Sequence, residues 1–479
     1  MPADAHAEDP LLQLDPTRPY RWLFLDLNSY FASVEQQEDP RLRGRPVGIV
    51  PSAGENTCTI AASIEARRCG VRTGTPLREA RRLCPGIVLR PARHALYVAY
   101  HHRVLAEVDR HVPVERVWSI DEVSVRLLGP QRRPAEALAL ARAIKAGLAA
   151  RVGACIRCSI GLAPSRQLAK LATELQKPDG LVALGPDDLP AWLLALALRD
   201  FPGIGPRMAA RLVRCGVVDA AGLWAMGPQR ARLIWGGVQG ERFWYGLRGA
   251  DLPEPPLPAT PHSLGHARVL PPGLRDLASA RHVTRLLAMK ATARLRAAGC
   301  LATVLGLEVE PAATVEVEPS ATGLGVEPSA TGLGVEPAAA GLGFPAMSRP
   351  WALGRLNGEV RLRQTDDERV VLAELDRLWA MLPTVGAKAP PARVWRVSVV
   401  LAGLVAVVQA TPDLLDWAEA ASRSAPRPGL GRAMDAVHRR FGRGSLIFGP
   451  APLDWAAYAG AKVAFARLPE AKDAGVGSR

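Results

Sequence analysis

A pair of adjacent carboxylates interrupts one of the most sheet-like segments of this sequence. The segment 117–125 reads VWSIDEVSV, and apart from Asp121 and Glu122 its residues are apolar or small and rich in β-branched side chains. This composition is typical of a strand in a sheet core. Burying two neighbouring negative charges there is costly, because each charge also raises the pKa of the other. The fold must therefore place positive charge at this point of the sheet.

A divalent cation would supply that charge, and sites built from oxygen ligands favour Mg²⁺. The best third ligand is Asp26, the only acid in the hydrophobic run RWLFLDLNSYF (21–31), which has the length of a strand. Adjacent residues of an ideal strand face opposite sides, so Asp121 and Glu122 can share a site only at a strand end, turn or bulge. We predict this irregularity within a hairpin of VWSI and VSVRL. The alternative is that both acids lie on the surface at a hairpin tip.

The charge balance points to a polyanionic partner. The chain has 479 residues, with 60 Lys and Arg against 46 Asp and Glu and a formal net charge of +14. Nucleic acid is the first candidate and an acidic membrane surface the second. No segment approaches about 18 uncharged apolar residues, and the acidic start does not resemble a signal peptide. We expect a soluble intracellular protein of several domains, each of roughly 100–150 residues.

The cysteines also favour a reducing compartment. Seven of them are scattered through the chain and do not form a disulfide framework. The one close pair, Cys155 and Cys158, could be redox-active or half of a zinc site. No second pair follows, so two small residues in a strand are the better interpretation.

The first half of the chain alternates between strand and helix patterns. Strand signals lie at 21–31, 44–50 and 154–163, and helix signals at 61–71, 79–86, 94–112 and 134–153, with the 61–71 helix stopped by Gly70. This alternation predicts an α/β or α+β fold. From about Leu184 the pattern becomes helical.

A glycine-containing turn within the helical part is a candidate phosphate site. In DFPGIGPRMAARL (200–212), Gly203 and Gly205 allow a tight turn whose backbone N–H groups and following helix can hold a DNA phosphate. A second segment of this kind, GVQGERFWYGLRG, spans 237–249. The alternative is an ordinary turn between two helices.

A basic segment follows a proline-rich linker (PEPPLPATP). Residues 265–305 contain seven basic residues against one acid, Asp276. On a helix, Arg281 shares a face with Arg285, and Lys290 with Arg294. A solvated helix surface would have the same composition, but next to a phosphate-binding turn the pattern favours DNA. A nonapeptide repeat at 317–343 then predicts a flexible, low-complexity insertion without chemistry of its own.

Taken together, five motifs resemble the Y-family, the DinB/UmuC-like translesion DNA polymerases. They are FLDLNSYFASVE, EARRCGV, SIDE, KPDG (177–180) and PGIG (202–205), in the family's order. The resemblance implies a right-hand polymerase, which is a multidomain α/β and α+β fold. Its expected parts are a flexible N-terminal lead (1–20), a palm (21–30 and 95–183), fingers (31–94), a helical thumb with a helix-hairpin-helix (184–250), a linker (251–262), a little finger with the repeat insertion (263–408) and a C-terminal extension (409–479).

The resemblance also implies the site residues. Asp26, Asp121 and Glu122 would be catalytic ligands of two Mg²⁺ ions, with the carbonyl of Leu27 as a further ligand. The expected nucleotide contacts are Arg67, Lys177 and the backbone around Asn28, Ser29, Tyr30 and Phe31, with Phe31 as an aromatic steric gate against ribose. The expected DNA contacts are Gly203, Gly205, Arg281, Arg285, Lys290 and Arg294.

The sequence departs from the family pattern at three positions. Ile64 and Ala61 stand where the family usually has a tyrosine and often a threonine that contact the triphosphate. The loss of a hydrogen bond to a charged group costs about 1.5–3 kcal/mol, so we expect weaker nucleotide binding without a change of reaction. Asn28 stands where an acid is common and is not expected to bind metal.

The resemblance predicts an error-prone, template-directed DNA polymerase of DNA damage tolerance, in the bacterial cytoplasm and associated with the nucleoid. Its expected partners are primer–template DNA and dNTP, with the sliding clamp as a candidate and no membrane. A non-catalytic paralogue that scaffolds a mutagenic complex is the alternative, although such proteins lose carboxylates that are all present here. A nucleotide cyclase is disfavoured by the PGIG turn and the basic segment.

Overall fold

The computed structural model describes residues 9–51, 57–253, 261–311, 356–382, 393–410, 429–441, 445–446 and 448. These residues form two units, one within Met1–Glu254 and the other within Pro255–Tyr458. The predicted repeat insertion, the proline-rich core of the linker and most of the C-terminal extension lie outside the described residues. The predicted domain boundaries remain predictions.

The first unit combines two sheets with helices. Its strands are β1 (Trp22–Leu27), β2 (Val47–Val50), β3 (Ala61–Ala62), β4 (Val88–Pro91), β5 (Arg116–Val117), β6 (Glu122–Arg126), β7 (Cys158–Ala163) and β8 (Leu181–Ala183). Its helices are α1 (Tyr30–Glu38), α2 (Ile64–Arg68), α3 (Leu77–Leu83), α4 (His94–Asp109), α5 (Pro134–Gly147), α6 (Arg166–Leu175), α7 (Ala191–Leu194), α8 (Pro206–Arg214), α9 (Ala220–Ala225), α10 (Pro228–Trp235) and α11 (Val238–Leu247).

The larger sheet has the strand order β5-β6-β1-β7-β8. Strand β1 is its centre, and all six of its residues are buried. Side chains alternate across a strand: Leu23 and Leu25 pack into the core formed with α4 and α5, whereas Phe24 packs into the core formed with α6. Asp26 continues the Phe24 side, so the acid of β1 faces α6.

A glycine in β7 allows α6 to pack closely against the sheet beside the site. Gly161 of β7 pairs with Phe24, and a Cβ atom at Gly161 would clash with the carbonyl oxygen of Ala169 on α6. The absence of a side chain at Gly161 therefore brings α6 against the sheet beside Asp26.

The smaller sheet has the order β3-β2-β4, and here the structure corrects the predicted helix over 61–71. Ala61 and Ala62 form β3 against β2, and the helix covers only Ile64–Arg68. The reason is Ser63, whose hydroxyl caps the helix by accepting the Ala66 N–H at 3.3 Å. Gly70 follows the helix with φ +91°, as expected of a stop.

Two further predictions are corrected in detail. The predicted 134–153 helix is α5 as far as Gly147, and a π-helical turn over Leu148–Val152 continues it. The strand predicted from Ala154 begins only at Cys158, so Cys155 lies in the preceding turn and the two cysteines do not share a strand.

The second unit is a sheet covered by helices. Its strands are β9 (Ser263–Val269), β10 (Cys300–Pro311), β11 (Leu356–Thr365), β12 (Val394–Ala402) and β13 (Val405–Ala406), and its helices are α12 (Leu277–Ala297), α13 (Glu368–Ala380) and α14 (Leu430–Phe441). The strand order is β11-β10-β12-β9, with β13 on β10. Arg296 of α12, only 6% exposed, forms ion pairs with Glu368 of α13 and Asp435 of α14. Part of the predicted C-terminal extension thus belongs to this core.

None of the described helices is long and apolar enough to cross a membrane.

Candidate active site

Three acids meet where β1 and β6 end. Asp26 lies directly opposite Glu122 in the antiparallel pairing of these strands. Strand β6 begins at Glu122, so Asp121 is the last residue of the turn from β5. The predicted irregularity at the two acids is therefore confirmed. As the alternative supposed, Asp121 and Glu122 lie where the β5–β6 hairpin turns, but both are half-buried rather than exposed, and Glu122 pairs across the sheet with the buried Asp26.

The positive charge beside these acids comes from a lysine that the sequence analysis missed. The Nζ atom of Lys170, on α6, lies 2.6 Å from Asp26 Oδ2 and 2.7 Å from Glu122 Oε1. Burial alone would lower the pKa of Lys170, but the two carboxylates outweigh burial and raise it. The signal available in the sequence was helix spacing: Lys170 lies one turn before Glu174, so the two side chains share a helix face.

Lys177, predicted as a nucleotide contact, lies at the same site. Its Nζ atom is 2.9 Å from Asp26 Oδ1 and 2.8 Å from Glu174 Oε1. Four carboxylates, from Asp26, Asp121, Glu122 and Glu174, thus face two ammonium groups, which leaves a net negative charge.

Burial, more than the neighbouring charges, shifts the pKa values of two of these acids. Burial raises the pKa of Asp121, and the Asp26 charge adds to that rise although Ser119 donates a hydrogen bond to the carboxylate. Burial also raises the pKa of Glu122, against the opposing effect of Lys170. Oxygen ligands with excess negative charge fit a hard divalent cation.

The carboxylates are not grouped with the spacing of ligands that share one metal ion. Within the described ranges, no group of three His, Cys, Asp or Glu side chains has the spacing of a metal site. The ammonium of Lys170 bridges Asp26 and Glu122, in the place that a shared cation would take.

An open cleft of about 710 Å³ lies over the acids. Its lining includes Asp26, Asp121, Glu122, Lys170 and Lys177, together with the predicted nucleotide residues Asn28, Ser29, Tyr30, Phe31 and Arg67 and the predicted ligand Leu27. The structure therefore brings all the predicted metal and nucleotide residues to one cavity. Their roles remain predictions.

Residues 28–31 line this cleft without contributing a charged side chain. Ser29 has φ +50° and precedes the first turn of α1, whose leading N–H groups have no helical partner. The Tyr30 side chain is buried, with its hydroxyl 2.7 Å from the Tyr97 carbonyl oxygen. Helix N-termini of this kind attract anions.

The lining of the cleft also combines arginines with apolar residues. Arg67, Arg68 and Arg72 line the cleft alongside Ala61 and Ile64, the two positions that depart from the family pattern. The Arg67 side chain is held in place by a hydrogen bond from Nε to the Ala62 carbonyl. These residues offer charge to a phosphate but no hydroxyl at positions 61 and 64.

A buried histidine holds the turn that carries Asp121. His101, on α4, is 1% exposed, and its Nδ1 lies 2.7 Å from the carbonyl oxygen of Ile120. Its Nε2 has no partner among the described atoms, and the neighbouring His102 ring is 5.7 Å away. Burial, reinforced by His102 and opposed by the Ile120 hydrogen bond, lowers the pKa of His101 to about 4.

We expect this histidine to make the fold acid-sensitive. Because the folded pKa lies below the unfolded value, the unfolded chain binds the extra proton, and stability is lost as pH falls from about 6.5 towards 4. His101→Asn keeps a donor for Ile120 but does not titrate. Between pH 7 and pH 5, the free energy of unfolding from urea titrations should fall by up to about 2 kcal/mol more for the wild type than for the variant. Equal losses would contradict the assignment.

The predicted DNA contacts lie on two separate elements. Gly203, with φ +93°, and Gly205 form the turn before α8, as the PGIG motif predicted. On α12, Arg281 lies 2.9 Å from Asp376 of α13, and Arg285 contacts the same carboxylate. The two arginines share a face as predicted, but any DNA phosphate has to compete with Asp376 for them.

Comparison with known proteins gives a consistent result. The model of the impB/mucB/samB family matches residues 25–174. A DNA polymerase IV of Moorella thermoacetica is 37% identical over 296 residues, which are 60% of this chain and 72% of that protein. A DNA polymerase IV of Methanoculleus marisnigri is 37% identical over 234 residues, which are 48% of this chain and 63% of that protein.

The fold agrees with these relatives. A solved chimera of Y-family DNA polymerases is similar with a TM-score of 0.60, covering 80% of this chain and 99% of that chain at 19% identity. The predicted fold class, a right-hand polymerase of α/β and α+β parts, is confirmed. Fold and relatives define the class as DNA-directed DNA polymerases, which are nucleotidyltransferases. Within that class, the chain belongs to the impB/mucB/samB family, the UmuC-like Y-family of translesion polymerases.

Proposed function

We propose that Asp26, Asp121 and Glu122 form the centre at which a primer 3′-hydroxyl attacks a dNTP. The observation that carries this proposal is the convergence of these acids at one end of the sheet, in a cleft that is also lined by Arg67, Arg68, Arg72 and Lys177. A metal-bound triphosphate requires both kinds of group: carboxylates that hold the metal ions and cationic side chains that bind the phosphates.

In this proposal, different residues bind the metal ions and the phosphates. Asp26, Asp121, Glu122 and the Leu27 carbonyl would hold two Mg²⁺ ions, which lower the pKa of the primer hydroxyl and neutralise the triphosphate. Arg67, Lys177 and the N–H groups of α1 bind and orient the phosphates. Lys170 bridges Asp26 and Glu122 and offsets part of their negative charge.

The decisive experiment is primer extension by the purified protein with Mg²⁺ and each single dNTP. We expect template-directed addition that stops on removal of Mg²⁺ with EDTA. DNA binding without any extension would instead favour the scaffold alternative. Formation of a cyclic nucleotide would favour the cyclase. The same assay with a damaged template base tests translesion synthesis, and addition of a sliding clamp tests that partner.

We also propose that α12 contributes to non-specific DNA binding. Affinity for primer–template should then fall steeply with salt and depend little on sequence, because each neutralised phosphate releases counterions. Reversing Arg281, Arg285, Lys290 and Arg294 to Glu should lower affinity and flatten the plot of log K against log salt. Fluorescence anisotropy at several salt concentrations measures both quantities.

The matched control uses the carboxylate that holds two of these arginines. Asp376→Asn removes the competing charge from Arg281 and Arg285, so it should strengthen binding. If the fourfold reversal leaves affinity unchanged at moderate salt, or if Asp376→Asn weakens binding in a folded variant, α12 does not contact the DNA.

A further inference from the structure

The loop that carries Lys177 is exposed but tightly held. It consists of Lys177, Pro178, Asp179 and Gly180 and lies between Gln176, the C-cap of α6, and β8; its first three residues are exposed. Asp179 has φ +62°, a left-handed conformation that is unfavourable for a residue with a side chain. Such a conformation persists only where surrounding contacts impose it.

One set of contacts comes from Lys145 on α5. Its Nζ atom lies 2.6 Å from Asp179 Oδ1, 2.9 Å from the Asp179 carbonyl and 3.3 Å from the Gly180 carbonyl. It also lies 2.7 Å from the Cys158 carbonyl of β7. An ammonium group has three N–H donors, so these four oxygens engage its full capacity. Lys145 thereby ties the loop to the core strand.

The other set comes from Asn28, at the end of β1. The Asn28 Oδ1 atom accepts the Asp179 N–H at 2.6 Å, and its Nδ2 donates to Ser159 Oγ at 3.1 Å. Ser159 Oγ in turn accepts the Gly180 N–H at 3.3 Å. Asn28 is only 6% exposed, so this connection lies beneath the loop.

The loop is therefore held from two sides, by the Lys145 ammonium that binds its oxygens and by the Asn28 amide that accepts the Asp179 N–H and hydrogen-bonds to Ser159, the acceptor of the Gly180 N–H. Lys177 is the first residue of the loop, and its ammonium reaches the acids. We propose that Lys145 and Asn28 are positioning residues that fix this loop, so that Lys177 is held where the triphosphate binds. This inference rests on the proposed role of Lys177 in nucleotide binding.

A double-mutant cycle tests the inference. The variants are Lys145→Met, Lys177→Ala and both together, with Arg142→Met as the control that removes a cation from the exposed face of α5 one turn earlier. Measurements are kcat/KM for a correct dNTP, the Kd for primer–template DNA and the melting temperature. We expect Lys177→Ala to lower kcat/KM by about 10-fold or more, the effect of a lost contact to a charged group. Lys145→Met should lower it about 5- to 10-fold.

If Lys145 is a positioning residue, the effects of the two substitutions on kcat/KM should not be additive in free energy. If Lys145 acts through Lys177, adding Lys145→Met to Lys177→Ala should cause little further loss. The DNA Kd should stay constant in all variants, and Arg142→Met should resemble the wild type. Destabilisation by Lys145→Met, seen as a lower melting temperature, would not give this result. A structural defect would lower kcat/KM by the same factor in the wild type and in Lys177→Ala.

The possible failures are distinguishable. If Lys177→Ala leaves kcat/KM unchanged, the proposed nucleotide role of Lys177 is wrong. If Lys177→Ala is impaired but Lys145→Met is not, or if the two effects multiply, the positioning role is wrong while the proposed function stands. Asn28→Asp gives a second test from the other side, since it keeps an acceptor for the Asp179 N–H: it should retain more kcat/KM than Asn28→Ala. Equal losses would overturn the role of Asn28.

Discussion

Asp121→Asn should abolish primer extension, a loss of at least about 100- to 1,000-fold in kcat, without lowering the stability of the protein. The loss follows from removal of a charge that would hold the catalytic cations. Stability is retained because the charged form of Asp121 is unfavourable in the fold: burial raises its pKa, and the nearby Asp26 charge raises it further. An Asn side chain removes that charge and keeps an oxygen that can accept the hydrogen bond from Ser119.

The measurements are single-nucleotide extension, DNA affinity and melting temperature. Asp187→Asn is the matched control, because Asp187 is an exposed acid of the same unit outside the cleft. We expect the control to match the wild type in all three. Undiminished extension by a folded Asp121→Asn variant would remove Asp121 from the catalytic centre. Loss of extension together with a large fall in melting temperature would mean that the acid is structural.

Phe31→Ala should raise rNTP incorporation much more than it lowers dNTP incorporation. Phe31 lines the cleft five residues after Asp26. It stacks on Tyr97, with ring centroids 4.3 Å apart and an angle of 13° between the planes. A ring in this place can reject a sugar by volume only if it cannot move away.

Tyr97 supplies that rigidity. It is fully buried, and its hydroxyl donates to Glu35 Oε1 at 2.8 Å. Arg93 holds the same carboxylate with two hydrogen bonds, of 3.0 and 2.6 Å. Phe31 is therefore backed by an anchored ring. Overpacking a rigid site costs about 1–3 kcal/mol, which corresponds to a bias of roughly 5- to 150-fold against the ribose 2′-hydroxyl.

The test compares kcat/KM for dCTP and rCTP opposite a template G. Val34→Ala is the control, because Val34 is a fully buried residue one turn further along α1 and does not line the cleft. It should lower the melting temperature and leave the dCTP/rCTP ratio unchanged. If Phe31→Ala behaves in the same way, Phe31 is a core residue and not a gate.

The pattern of apolar residues was enough to predict most of the elements that carry the site. It placed β1 and β6, whereas the first strand of the hairpin, predicted over VWSI, is Arg116–Val117, and the residues from Trp118 to Ile120 lie in the turn. The cost of burying Asp121 beside Glu122 required a strand end and a nearby positive charge. Both requirements concern neighbouring residues, so they are local and readable from the sequence. The prediction of a helix over 61–71 was wrong at its start, because the N-cap at Ser63 and the pairing of Ala61 and Ala62 with β2 outweigh helix propensity there.

What the sequence by itself determined was therefore three of the four acids at the site, their place at a strand end and the family to which the motifs belong. Only the tertiary structure decided which cation lies among those acids. Lys170 and Lys145 look alike in sequence, as lysines on amphipathic helices, yet one bridges Asp26 and Glu122 while the other holds the Lys177 loop. Which side a helix turns to the sheet, and how closely it packs at Gly161, depends on contacts between residues far apart in the chain. Such long-range contacts leave no periodic signal in the sequence, because they are set by the packing of whole elements.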